Sequence, residues 1–343
     1  LGVGLMLYRP SQPQSFADQL EQFSELIRDA FLAAIAAIRS RVTLRQLIAK
    51  LERHDTDGVI RAIGVEGSAF NGLLDQIDGA FAAGGGGANR ELPVIRDAEG
   101  FPISISFDAR NQVAEAWLKQ HGAALVRGIV DDQVTMLRDV ISRDVGQGMG
   151  ARQIALDLVG RVSAVTGQRE GGLIGLTASQ EQWAANFEAA LRANDKASLT
   201  YNLRDRRFDR SIRAALDADN PLTSEQIDPM VRAFRNRALR WRGEMIGRTE
   251  ALTALNAGRD EHMRQVVASG AVSGNLVDTQ WRTILDGRER DSHAAMDGQV
   301  VPFGQTFVSG LGNHLRYPGD PAAPAADRVN CRCSKRYLIR KGA

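Results

Sequence analysis

Residues 223–245 read TSEQIDPMVRAFRNRALRWRGEM, and this stretch decides the fold class. Thr223 and Gln226 form a Thr-x-x-Gln capping box, in which each side chain satisfies a backbone N–H at the start of a helix. Ile227, Val231, Phe234, Ala238, Trp241 and Met245 then recur at three- and four-residue steps. That spacing stacks them on one face of an α-helix. Leu252, Leu255, Met263 and Val266 carry the pattern on to Gly270, which reads as a C-cap.

Working upstream, the same helical grammar dominates. Thr177 and Gln180 repeat the capping box ahead of Trp183, Phe187 and Leu191. Val130, Val134, Leu137 and Ile141 mark one face of a helix expected to begin at Asp108 as N-cap. The glycine-rich run 146–150 interrupts that helix, and residues 151–159 resume it. With no strand before it and no Gly-Lys-Ser/Thr after it, this run reads as a turn and not as a phosphate cradle. Residues 160–175 read as a loop. At the N-terminus, Phe16, Leu20, Phe23, Ile27, Phe31, Ile35 and Ile38 form one buried stripe, continued by Leu44, Leu47, Ile48 and Leu51. The four consecutive glycines 84–87 carry a high entropic cost of ordering, so a flexible linker is expected there. An extended arm is expected to follow, from Leu92 to Phe107.

Downstream of Gly270 the period changes. Residues 277–285 alternate with period two, as in a strand with one apolar face. A short helix capped by Asp286 and Glu289 and stopped by Gly298 is expected next. A proline-rich loop over 318–324 and a last strand over 331–339 follow. The expected fold is mainly α, an elongated multi-helix body followed by a small C-terminal α+β domain. Its expected segments are 1–83 (helical), 84–107 (linker and arm), 108–270 (central helical) and 271–343 (α+β).

Composition narrows the function classes. The 343 residues exceed one ordinary domain. Hydrophobic residues make up 43% and charged residues 24%, a globular balance. No apolar run approaches the ~18–20 residues of a membrane span. The opening Leu1–Leu7 is apolar but short and follows no basic residue, so a secretory signal is not expected. The net charge of +2 argues against a protein that coats nucleic acid throughout. The two cysteines, Cys331 and Cys333, cannot build a disulfide framework and suit a reducing compartment.

Two constellations are candidates for chemistry or binding. On a strand, residues two apart point the same way, so Cys331 and Cys333 can reach one ion. With His293 and His314 they would give two sulfur and two nitrogen ligands, a set that suits tetrahedral zinc. Two buried cysteines and two hydrogen-bonded histidines are the simpler alternative. Arg332, Lys335 and Arg336 beside the thiols would lower a thiol pKa. A metal-dependent hydrolase or nuclease built on this cluster would also need a base, for which Asp286 and Asp297 are candidates. His293 and Asp297 are expected on one helical face. No convincing catalytic constellation emerges beyond this. The second constellation is basic. Residues 201–248 hold 11 basic and 7 acidic residues, with Arg204, Arg207, Arg232, Arg235 and Arg240 as candidate contacts to DNA or an acidic partner. A salt-bridged helix face and a DNA-binding module are the alternatives.

One ordered set of residues resembles a known family. It runs Trp281-Arg282-Thr283, Asp286-Gly287-Arg288-Glu289-Arg290, His293, Asp297-Gly298, Phe307, Tyr317-Pro318-Gly319-Asp320 and Asn330-Cys331-Arg332-Cys333. Ile246-Gly247-Arg248-Thr249-Glu250 and Asn256 precede it. Together they resemble the C-terminal signature of the phage Mu F-like family, the phage head morphogenesis or minor head proteins. The resemblance covers about Met245 to Tyr337. The helical portion from Arg127 to Leu216 is similar to the bodies of such proteins. The resemblance implies a virion protein assembled in the host cytoplasm and placed inside the capsid near the portal vertex. It implies partners among the portal, major capsid and scaffolding proteins and packaged double-stranded DNA, no membrane partner and no agreed enzymatic activity.

Overall fold

The computed structural model of the chain describes residues 15–88, 101–102 and 105–340. Leu1–Leu7 and most of the expected arm over 92–107 lie outside the described residues. The chain is mainly α. Its long helices are α1 (Phe16–Arg41), α2 (Leu44–Leu51), α3 (Thr56–Ile63), α4 (Asn71–Ala88), α5 (Gln112–Gly146) and α6 (Ala151–Val159). These are followed by α7 (Ala178–Arg192), α8 (Asp209–Asp217) and α9 (Ser224–Ala268), with the short turns α10 (Asp291–Ala294) and α11 (Ala325–Arg328) near the end. A hairpin of β1 (Arg161–Val162) and β2 (Arg169–Glu170) sits in the 160–175 loop. The C-terminal strands are β3 (Val277–Arg282), β4 (Val300–Pro302), β5 (Phe307–Val308), β6 (His314–Leu315) and β7 (Ser334–Ile339).

Two compact units emerge, each assembled from separated segments: 1–24, 78–115 and 248–343 in one, 25–77 and 116–247 in the other. This cuts across the consecutive segments expected from the sequence. The reason is that α1, α4, α5 and α9 are each long enough to contribute to both.

In the second unit, Ala184, Phe187 and Leu191 of α7 meet Ile212 of α8 and Ile227, Val231 and Phe234 of α9. The rings of Phe187 and Phe234 stack with centroids 4.9 Å apart. Each fully buried aromatic of this kind removes enough apolar surface to stabilise the fold by roughly 1.5–3 kcal/mol. Both expected capping boxes form: Thr177 with Gln180, and Thr223 with Gln226. The loop residues 171–176 are buried, so their backbone groups need internal partners. Three side chains supply them. Arg39 donates to the carbonyls of Gly172 and Ile174 at 2.8 and 3.0 Å. Arg242 donates to Gly175 O at 2.9 Å. Gln133 accepts from Gly175 N at 2.6 Å and donates to Leu176 O. Burial pushes both guanidinium groups down to about 10, and Arg235 adds repulsion at Arg39.

In the first unit, β3 is the centre of an antiparallel sheet ordered β4-β3-β7. Burial along β3 alternates, with Val277, Thr279 and Trp281 inward. Trp281 is fully buried among Leu252 of α9, Met296, Phe307, Leu315, Cys331 and Cys333. Phe16 and Leu20 of α1 pack against the same cluster.

Several expectations are corrected. The glycines 84–87 are no linker but continue α4. A Cβ on Gly84 would lie 2.2 Å from Leu255 O, and one on Gly258 would lie 2.0 Å from Phe81 O. The glycines therefore let α4 and α9 approach backbone to backbone. Asn111, not Asp108, caps α5, accepting from the N–H groups of Val113 and Ala114. Asp286 and Glu289 do not start a helix. Glu289 accepts from Asp286 N at 3.1 Å within a loop, and α10 begins at Asp291. His293 and Asp297 share no helical face, because α10 ends at Ala294. The last strand begins at Ser334, so both cysteines lie in the irregular segment before it.

Candidate functional site

The signature residues of the C-terminal region act mainly as braces between loops and α9. Asn256 donates to Pro318 O at 3.0 Å, and Thr253 Oγ1 donates to Gly319 O at 2.8 Å. Gly319 has φ +83°, and a Cβ there would meet Thr253 Oγ1 at 2.9 Å, so glycine is required on both counts. Asp320 closes the loop with a bidentate pair to Arg316, both bonds 3.0 Å.

A second set of braces delivers the cysteines. Arg248 donates to Asn330 Oδ1 at 2.7 Å, and Asn330 N donates to Thr249 Oγ1 at 3.1 Å. These contacts hold Asn330 in a left-handed turn, φ 57°, a conformation that asparagine tolerates better than most residues. Arg290 donates to the carbonyl of Val329. Arg332 grips Asp286 through two bonds of 2.7 and 2.8 Å, and Arg288 joins from the other side. The guanidinium groups of Arg332 and Arg288 hold the Asp286 carboxyl well below the usual carboxylate range.

The braced turn brings Cys331 and Cys333 onto His293. Cys331 Sγ lies 3.4 Å from His293 Nδ1, and Cys333 Sγ lies 3.5 Å from the same nitrogen. The ligand atoms of these three residues all fall within 4.8 Å of one another, and all three residues are buried. Cys333 N donates to Cys331 Sγ at 3.4 Å. The two thiols titrate together. The hydrogen bond between them holds the Cys331 proton in place, with burial adding to its retention, and favours a thiolate at Cys333, aided by His293.

The signature Trp281–Thr283 orients the histidine. Trp281 Nε1 donates to Thr283 Oγ1 at 3.2 Å, and Thr283 Oγ1 donates to His293 O at 2.7 Å. Asp297 Oδ1 accepts from Thr283 N at 2.8 Å, and Gly298 N donates to Trp281 O at 3.0 Å. The indole meets the imidazole edge to face, with centroids 5.5 Å apart. On the far side, His293 Nε2 lies 3.5 Å from Asp327 Oδ1, a contact outside hydrogen-bond geometry. Asp327 is fully buried and accepts from Ser292, Ser309 and Asn313 at 3.0, 2.7 and 2.8 Å. Burial opposes its ionisation, but those three donors and His293 together bring its pKa below the ordinary value.

The expected four-ligand set is therefore corrected. His293, Cys331 and Cys333 converge, whereas His314 is exposed on β6 with its Nδ1 2.9 Å from Thr306 Oγ1. Lys335 also turns away from the thiols. It is buried against Asp260 and among the rings of Tyr317, Tyr337 and Phe303. Asp327 was missed in the sequence, since no periodicity singles out a carboxylate in a four-residue helix. The usable signal is chemical: a ligating histidine commonly carries a carboxylate behind it. The candidate bases are committed elsewhere, Asp286 to arginines and Asp297 to Thr283.

The arginine candidates are largely neutralised. Arg204 pairs with Asp209 at 2.9 Å, Arg207 with Asp205 at 2.7 Å, Arg235 with Asp157 at 3.4 Å and Arg240 with Glu244 at 3.4 Å. Arg232 and Arg235 line a cavity of 760 Å³ of mixed charge, whose walls also carry Arg143, Arg161 and Arg192 and the carboxylates of Asp144, Asp157, Glu181, Glu188 and Asp228.

A small antiparallel sheet, cross-braced to one long helix by short polar side chains around a buried His–Cys–Cys cluster, defines the class of domain. Residues 221–336 match the family described as Phage Mu protein F like protein. The match begins upstream of Met245 and takes in all of α9. A stretch of 90 residues is 32% identical to the minor head protein GP7 of Bacillus phage SPP1. That alignment covers 26% of this chain and 29% of the relative, so less than a third of the relative's length is represented. No solved structure matches the chain. No helix among the described residues is long and apolar enough to cross a membrane.

Proposed function

We propose that this chain is a minor head protein of a tailed bacteriophage and acts by binding other head components. The observation that carries the reading is the use to which the signature is put. Arg248, Thr249, Asn256, Trp281, Asp286, Arg290 and Asn330 all brace one domain, in the stretch that matches the family. Residues spent on holding loops in place suit a rigid docking module. The committed carboxylates around the cluster weigh against a hydrolase or nuclease.

The partners that fit are the portal, major capsid or scaffolding proteins, with the chain inside the capsid near the portal vertex. Packaged DNA is the weaker partner, because Arg204, Arg207, Arg235 and Arg240 already face carboxylates. Co-expression with the portal, capsid and scaffolding proteins of the same phage tests the reading. Co-purification with one of them at physiological salt is expected. Failure to associate with any of them, together with tight DNA binding that weakens steeply with salt, would favour the nucleic-acid reading instead.

A further inference from the structure

We propose that His293 Nδ1, Cys331 Sγ and Cys333 Sγ bind a zinc ion, with Asp327 orienting the imidazole from behind. Three independent features of the cluster point to a soft divalent cation.

The first is distance. Zinc bonds of about 2.3 Å to sulfur and about 2.0 Å to nitrogen place sulfur and nitrogen roughly 3.5 Å apart on a tetrahedron. The two S···Nδ1 separations are 3.4 and 3.5 Å. Both sulfurs face the same ring nitrogen, which one ion explains and which a neutral imidazole with one acceptor site does not.

The second is the outer ring of contacts. His293 Nε2 is buried without a hydrogen bond, yet the nearest acceptor is the buried carboxylate of Asp327 at 3.5 Å. An ion on Nδ1 fixes the proton on Nε2 and aims it at that carboxylate, beside its three existing donors, the usual arrangement behind a ligating histidine. On the sulfur side, Cys333 N donates to Cys331 Sγ, a bond that favours the ligating thiolate.

The third is access. Cys331 and Cys333 are 2% and 3% exposed, too covered for a nucleophile that must meet a macromolecular substrate. All three ligating residues nevertheless border a cavity of 140 Å³ that also touches Thr283, Glu289 and the exposed Arg288. That volume lets an ion enter and lets water complete a fourth coordination position. The ion would tie α10 to the segment entering β7, closing a loop of about forty residues whose own elements are only two to four residues long.

The test uses the full chain, expressed with zinc in the medium and purified without chelator. Elemental analysis is expected to give one zinc per chain, and cobalt exchanged into the site is expected to show thiolate charge-transfer absorption. Cys333→Ser should lose both signals. His314→Ala should keep both, because His314 is outside the cluster. If Cys333→Ser fails to fold, the wild-type cobalt spectrum and His314→Ala still decide. No stoichiometric metal and no thiolate–cobalt absorption in the wild-type chain would overturn the proposal. So would an intact mass lighter by two hydrogens, which means a Cys331–Cys333 disulfide. Metal lost in His314→Ala would overturn the three-residue set.

Discussion

The carbonyl oxygen of Leu255 passes so close to Gly84 that a Cβ at position 84 would lie only 2.2 Å from it. The crossing of α4 and α9 is thus set by the absence of a side chain. Gly84→Ala is expected to force the helices apart and to cost roughly 1–3 kcal/mol. Gly86, two residues on, is exposed and has open space around its Cα. Gly86→Ala should raise stability by up to about 1 kcal/mol through helix propensity alone. Urea unfolding of the two variants checks the contrast. Equal effects in the two would mean that the glycine run serves flexibility.

That crossing also illustrates what could be read in advance. The stripes on α1, α7 and α9 and both capping boxes were legible because periodicity and caps are local properties, but Trp183 and Trp241, expected on the buried faces of α7 and α9, are exposed. The glycine run was misread because its role is set by a partner more than 160 residues away. The convergence of Cys331 and Cys333 was legible from their spacing, though not on a strand. His314 was misassigned because residue type alone cannot say which histidine a turn brings near. Asn330 was legible as part of a family signature, while its left-handed turn and its contacts with α9 were not.

Arg39 carries the buried 171–176 loop in the second unit. Arg39→Ala would leave the carbonyls of Gly172 and Ile174 buried without that donor. At about 1–3 kcal/mol for each unsatisfied group, a loss of roughly 3 kcal/mol or more is expected. Thermal unfolding measures it, and a loss below about 1 kcal/mol would mean that the loop finds other donors.

His262 gives the first unit an acid-sensitive point. It is fully buried beside the Phe107 ring, with centroids 5.7 Å apart, and neither ring nitrogen has a hydrogen-bond partner among the described residues. Burial lowers its pKa below the ordinary 6.5. The unfolded chain therefore takes up this proton first. Stability should fall as pH drops below 6.5 and level off once the native pKa is passed. His262→Phe should flatten the decline between about pH 7 and pH 5. An unchanged slope in unfolding at several pH values would assign the acid sensitivity to other groups.

Asp327→Asn separates positioning from ligation at the proposed zinc site. The side chain keeps its size but loses the charge behind His293 Nε2. Zinc affinity is expected to fall about 10–100-fold, as for other carboxylates behind a ligating histidine. Competition with a chromophoric chelator reads this, and unchanged affinity would mean that Asp327 only organises Ser292, Ser309 and Asn313.

The most direct test of the head-protein reading is the composition of particles. Quantitative mass spectrometry of purified proheads and mature virions of the phage encoding this chain should find it in both or in proheads alone, in far fewer copies than the major capsid protein. Its absence from both kinds of particle, in a lysate where the chain is abundant, would contradict the account.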